Sequence, residues 1–197
     1  MSRPDISPHL VHFTKGQNCE DAFARLCKII ADKKLIAGSA FIKGGYNCVC
    51  FSEAPLTSLA DGLVNESYYS RYSPFGILVS KKWLFECGGR PVIYQSGEEL
   101  HRLPEDLRWR HVLYEVRDGY SYADFTWERE WRIKCDCLEF DQNSAQIVVP
   151  DQSWADRLVS EHNNTQDYQV MLYALIFDEV QAQAYRDPFR WTLIKLR

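Results

Sequence analysis

Apolar positions along this chain recur with two different periods, and the switches between them outline a fold. Leu10 to Thr14 reads as a short apolar strand, and Lys15-Gly16-Gln17-Asn18 as a turn that ends on a helix N-cap, Asn18. Ala22, Phe23, Leu26, Cys27, Ile29 and Ile30 then follow helical spacing towards Leu35, with Lys28, Asp32, Lys33 and Lys34 on the polar side and Gly38 as the stop. Gly44-Gly45 opens a second strand, Asn47 to Glu53, closed by Pro55. Residues 56 to 74 keep no period and suit a loop over a site, or a short helix and a loop.

Strand spacing returns at Phe75 to Ser80 and, after the Gly88-Gly89-Arg90-Pro91 turn, at Pro91 to Gln95. Glu98 to Leu107 reads as a helix or extended turn. Trp109 to Val116, Thr126 to Cys137 and Ala145 to Val149 are further strand candidates. Asp151 or Ser153 suits the cap of a helix through Trp154, Leu158 and Val159, and Gln169 to Phe177 with Phe189 to Leu196 reads as a closing strand pair. Strands outnumber helices and connections are short, which predicts a compact α+β fold: a mainly antiparallel sheet with flanking helices.

Length adds that 197 residues suit one domain, 1–197, able to bury about 70% of its unfolded surface without staples. A net charge of −4 argues against a surface built as a whole for nucleic acid, and predicts weak binding to bulk duplex DNA. The local run of Arg102, Arg108, Arg110 and His111 around Trp109 suits either a phosphate backbone or an ordinary solvated turn. No signal peptide or membrane-length apolar run is read, so a cytoplasmic location is expected, with no membrane partner. Seven cysteines, an odd number, do not spell a secreted disulfide framework. The pairs Cys48-Val49-Cys50 and Cys135-Asp136-Cys137 lack zinc-knuckle spacing, and small side chains on the buried face of adjacent strands account for them without a metal.

The segment Phe125 to Ile133 carries the clearest chemistry. Read as strand, it places Glu128 and Glu130 on one face and Trp127, Arg129 and Trp131 on the other. Two facing carboxylates repel unless a ligand, a cation or an arginine meets them, and the alternative is a solvated strand face. A pairing of Glu53 with Arg129 or Arg132 would make part of the group structural.

Leu-Val-His12-Phe-Thr14 before an amphipathic helix, then Val-Cys-Phe-Ser52-Glu53-Ala-Pro55-Leu, Tyr72-Ser-Pro-Phe-Gly76-Ile and Trp-Glu128-Arg-Glu130-Trp-Arg132, together resemble the AbiG-type abortive phage-infection family over residues 10 to 150, with 151–197 as a C-terminal elaboration. The order of these parts also resembles the ADP-ribosyltransferase fold, in which successive strands offer His or Arg, then Ser or Tyr, then a Glu within an E-x-E pair. His12 stands where the arginine-type class has Arg, and Phe51-Ser52-Glu53 replaces its S-T-S triplet, which leaves the acceptor open.

The resemblance implies NAD as substrate and transfer of ADP-ribose to a macromolecular acceptor, nucleic acid among the candidates. It implies Glu130 as the carboxylate that stabilises the ribose cation and Glu128 as the group that orients or deprotonates the acceptor. His12 and Thr14 would contact the ribose, Ser52 would brace Glu130 or the nicotinamide ribose, and Tyr72 would stack on nicotinamide. It equally accommodates a non-catalytic antitoxin or binding module with a cognate protein partner. A hydrolase is disfavoured, because neither G-x-S-x-G nor H-E-x-x-H occurs.

Overall fold

Asn18 does open the first helix, accepting a hydrogen bond from the Asp21 amide at 2.9 Å. The computed structural model describes residues 6–58, 72–117 and 120–197. In chain order the first elements are β1 (His9–Phe13), α1 (Cys19–Asp32), β2 (Lys34–Ile36), β3 (Cys48–Ser52), a single helical turn α2 (Leu56–Ser58), β4 (Gly76–Ser80) and α3 (Lys81–Glu86). Next come β5 (Arg90–Pro91), β6 (Ile93–Gln95), β7 (His111–Leu113), β8 (Glu115–Arg117) and β9 (Tyr120–Ala123). The chain ends with β10 (Glu130–Lys134), β11 (Cys137–Glu139), β12 (Ala145–Val149), α4 (Gln152–Tyr173), α5 (Glu179–Ala184) and β13 (Leu193–Lys195). Of the segment read as a loop, residues 59–71 lie outside the described residues.

Seven strands form one sheet in the order β13-β12-β4-β1-β3-β10-β5, antiparallel at every pair except β12 with β13. The fold is α+β with a mostly antiparallel sheet. Strand alternation sorts the side chains into two layers. Leu10, Val49, Phe51, Ile77, Val79, Trp131, Ile133 and Ile147 pack with Phe23 and Leu26 of α1 and Ala155 and Leu158 of α4. Phe75 is fully buried there, its ring 5.8 Å from Phe23 and 4.9 Å from Trp154. On the opposite face Val11, Phe13, Leu78 and Val148 form a smaller cluster that Tyr72 joins.

Several sequence expectations need correction. α1 stops at Asp32 rather than Gly38, because Lys33 turns left-handed (φ 52) and its amide closes on Ile30 O, releasing Leu35 to pair with Leu138 in a two-stranded ribbon. Gln169 to Phe177 is not a strand. Asp151 caps α4 through the Ser153 and Trp154 amides, and Ala155, Leu158, Gln166 and Val170 bury in helical phase through Tyr173. The predicted helix at Glu98 to Leu107 is a pair of 3-10 turns, Glu99–Arg102 and Glu105–Arg110. Thr126 to Cys137 divides into a 3-10 turn, β10 and β11.

The cysteine pairs also diverge from the reading of two buried strand faces. Cys48 is buried on β3, whereas Cys137 is exposed on β11 in a separate ribbon. Among the described residues no three His, Cys, Asp or Glu side chains gather as a metal group would require. No described helix is long and apolar enough to cross a membrane.

Gly76 fixes how closely β4 can approach β1. A Cβ there would lie 2.6 Å from the His12 carbonyl oxygen, which is backbone and cannot swing away. Gly76→Ala is expected to lower stability by about 1–3 kcal/mol through overpacking, read as a lower Tm with unchanged far-UV circular dichroism. An unchanged Tm would show that the two strands separate freely at this point.

Candidate functional site

β1 meets β4 over five residue pairs and β3 meets β10 over five, but β1 and β3 are joined in register only at Val11 and Ser52. A cavity of about 170 Å³ borders this weak seam, and His12, Ser52, Tyr72, Glu128 and Glu130 all line it. A second lobe of about 470 Å³ shares Lys15, Phe41, Glu128, Glu130 and Arg132 with the first and adds Lys43, His111 and Phe125. Five of the six residues singled out from the sequence therefore border one cleft.

Thr14 does not line it. Its side chain is buried, and Oγ1 donates to the Phe75 carbonyl at 3.1 Å, with the Thr14 amide donating to the same oxygen at 2.7 Å. That arrangement clamps the end of β1 to the segment before β4.

The two glutamates reach the cleft by a route that alternation did not predict. Glu128 ends the 3-10 turn Thr126–Glu128, Arg129 is left-handed (φ 44), and only Glu130 begins β10. A left-handed conformation costs a residue with a Cβ roughly 1–2 kcal/mol. Surrounding hydrogen bonds hold it. Asp124 accepts from the Thr126 amide and hydroxyl at 2.9 and 2.6 Å, and Ser52 Oγ donates to Glu128 O at 2.7 Å. Ser52 thus braces the backbone of Glu128, not the carboxylate of Glu130.

Neither carboxylate is a solvated strand face: Glu128 is 5% exposed and Glu130 9%. Arg132, next but one on the same strand face, supplies the cation. Its Nε and Nη2 donate to the two Glu130 carboxylate oxygens at 2.8 and 3.2 Å, while Nη1 donates to Trp109 O at 2.8 Å and His111 O at 3.1 Å. Removal from water pulls the Arg132 pKa down, but the Glu130 hydrogen bond and charge outweigh it and the net shift is upward. Burial, helped by the charges of Glu130 and Glu128, pushes the Tyr94 phenol up to about 12. Tyr94 Oη accepts from the Glu130 amide at 3.0 Å, and its hydroxyl donates to Phe125 O at 3.1 Å. Arg132 is taken by Glu130, and Glu53 has other partners. It accepts from Lys81 Nζ at 2.6 Å and from Trp131 Nε1 at 2.8 Å on the other side of the sheet.

Register sends His12, opposite Ile77, to the face away from Ser52 and Glu130. It still borders the cleft, because its ring spans the seam to β3: Nδ1 lies 2.8 Å from Cys50 O, and the ring stands edge-on to Phe51 at 5.8 Å. A carbonyl only accepts, so Nδ1 carries the proton and Nε2 of the neutral ring presents a lone pair. Burial lowers the His12 pKa below its ordinary 6.5, the Cys50 hydrogen bond opposes this, and the charge of Lys15 adds to the lowering.

The linkage has a definite sign. The unfolded chain takes up this proton near pH 6.5 and the folded chain only at lower pH. The contribution to stability is therefore complete above 6.5 and declines as the pH falls from there towards the folded value. His12→Gln is expected to flatten the fall of Tm just below pH 6.5; a slope identical to that of the unaltered protein would assign the acid sensitivity to other groups.

Sequence reasoning missed three features. Phe41 is 86% exposed and left-handed (φ 62), and it borders both lobes. A bulky residue at positive φ is uncommon, and here it sits in a turn closed by the Ile42 amide donating to Ser39 O at 3.0 Å. Gly44-Gly45, three residues on, was the available signal. Lys15 and Lys43 bring two cations to the larger lobe. His111 is 1% exposed: Nε2 donates to Ser96 O at 3.1 Å, which leaves Nδ1 a buried acceptor with no partner among the described residues.

The arginine run around Trp109 does not act as one stripe. Arg102 is exposed on its turn, Arg110 donates to Pro91 O at 3.0 Å beside a separate surface depression, and His111 turns to the cleft. Neither a family model, nor a curated protein, nor a solved structure matches the chain, so the chemistry has to be read from the cleft itself.

Proposed function

We propose that this chain is an NAD-dependent ADP-ribosyltransferase with an ADP-ribosyltransferase-like fold, acting on a macromolecular acceptor in phage defence, with nucleic acid among the candidate acceptors. The observation that carries the reading is the meeting of Ser52, Glu128 and Glu130 on one cleft at the β1–β3 seam, which His12 borders from a strand position on the other face. The two lobes together fall in the size class of small-molecule sites. Their donor set suits a dinucleotide: Lys15 and Lys43 for phosphate charge, His12 Nε2 to accept from a ribose hydroxyl, and Tyr72 and Phe41 for planar rings.

In this reading the acceptor's nucleophile attacks the ribose carbon that bears nicotinamide. The carbon–nitrogen bond breaks, its electron pair leaves with neutral nicotinamide, and positive charge develops on the ribose. Glu130 stabilises that charge, and Arg132 holds the carboxylate in one orientation so that little reorganisation accompanies the step. Glu128 takes the proton that the nucleophile loses.

One observation favours a second reading. Both Glu130 oxygens already accept from Arg132, which also suits a binding module that keeps the fold without turnover, such as an antitoxin. Nicotinamide release from NAD by the purified protein, with and without cell extract, separates the two. Release that rises on adding extract is expected, and no release in either condition would replace the transferase with the binding module.

A further inference from the structure

We propose that the C-terminal helical pair is the interface of a homodimer. The end of α4 has a buried side and, opposite it, an exposed apolar one. Val170 and Gln166 bury inward, while Tyr168, Met171 and Leu172, spaced i, i+3 and i+4, form a stripe facing out that Leu175 continues into the turn. These four are 59%, 54%, 41% and 79% exposed, and the turn and α5 add Ile176 and Val180 at 78% and 82%. No charged residue occurs from Tyr168 to Phe177. The surface is firm: Tyr185 stacks on Tyr173 at 4.6 Å and on Phe177 at 5.5 Å, and Ala182 anchors α5 with no exposure. An exposed apolar stripe at the end of a helix, opposite the side that packs inward, is a surface suited to a partner.

The occupant that fits is a second copy of this chain. Together with Ile176, Val180 and the three stacked rings, the stripe exposes on the order of 1,000 Å² in all, polar atoms included, against roughly 800 Å² per partner in a standard stable interface. Single patches on monomers are seldom this large. A stripe at helical spacing packs against its own image across a two-fold axis, ridge into groove. Homodimer interfaces are more apolar than those made with transient foreign partners, which resemble ordinary surface. A membrane surface suits it poorly, because the border is acidic: Asp167, Asp178, Glu179 and Asp187, with the nearby Arg186 already paired to Asp167. None of these residues lines either lobe of the cleft, so the inference stands apart from the proposed activity.

Light scattering coupled to size exclusion, over a dilution series of the full chain, tests it. Twice the chain mass is expected, and the double variant Leu175→Glu/Ile176→Glu should weaken self-association by roughly 100-fold or more. Both side chains are exposed, so Tm and nicotinamide release of the variant at low concentration should match those of the unaltered monomer. Lys28→Glu, on α1, should leave the dimer intact. A monomer at every concentration, or a dimer that survives the double substitution, would overturn the proposal. So would a monomer that sediments with vesicles of neutral or anionic lipid, since that outcome assigns the stripe to a membrane surface.

Discussion

Glu130→Gln is expected to reduce nicotinamide release from NAD by about 100- to 1,000-fold, the loss typical of removing one preorganised electrostatic element from a transition state. Glutamine keeps the size of the side chain and an acceptor oxygen for one Arg132 bond. It turns the second bond into an amide facing a guanidinium N–H, donor against donor, and removes the charge that meets the ribose cation. The variant should therefore also melt at a lower temperature, and activity has to be compared at equal folded fraction. Ile147→Val is a suitable match: a fully buried core position, trimmed by one methyl group, costs about 0.5–1.5 kcal/mol without touching the cleft. It should keep its turnover. Turnover in Glu130→Gln equal to that of Ile147→Val would leave the Glu130–Arg132 pair as a structural element and move the interpretation to the binding module.

The central strands of the sheet were legible in sequence as short apolar runs bounded by turn residues. Cys48 to Ser52, Gly76 to Ser80 and Ala145 to Val149 lie within a residue or so of where the pattern put them. What the pattern could not carry was the break at Arg129. Trp127 to Trp131 alternates as well as any strand, and nothing in residue type announces a left-handed residue there, since the conformation is imposed by Asp124 and Ser52 from outside the segment. The outer stripe of α4 misled for a related reason. Val170 to Phe177 is a continuous apolar run, which suggests a buried strand until the phase inherited from Asp151, Ala155 and Leu158 is included.

Site membership was legible only as far as residue type reveals chemistry. Glu128, Glu130, His12 and Ser52 announce themselves by type and order, but Arg132 was read only as a possible partner for Glu53. Its role depends on β7 and the adjoining 3-10 turn bringing Trp109 O and His111 O to one guanidinium, contacts 21 to 23 residues away in sequence. His111 itself looked like part of a surface cluster. Thr14 shows the reverse case, a side chain next to the site in sequence whose hydroxyl is occupied by the fold.

Arg132→Met should have the largest effect on stability, because it removes the cation from a pair that the fold has taken out of water. The Glu130 carboxylate would lose both charge-assisted bonds, and the carbonyls of Trp109 and His111 would lose their shared donor. Breaking a buried pair at one partner costs about 3–5 kcal/mol. For a domain of this size that corresponds to a fall in Tm of roughly 6–20 °C. Lysine should not rescue it, since a single ammonium cannot grip both carboxylate oxygens and reach two carbonyls, one on β7 and one on the turn before it. Removing both charges should behave differently. Arg132→Met combined with Glu130→Leu leaves neither half of the pair buried alone, and replacement of whole pairs by apolar residues is often neutral or better. The double variant is therefore expected to recover most of the lost Tm while remaining inactive on NAD. That split, stability restored without turnover, would mark the pair as present for the cleft's chemistry rather than for the fold. Near-additive losses in the two single variants and the double would instead mean that the two side chains are not coupled, and the picture of Arg132 holding Glu130 would fail.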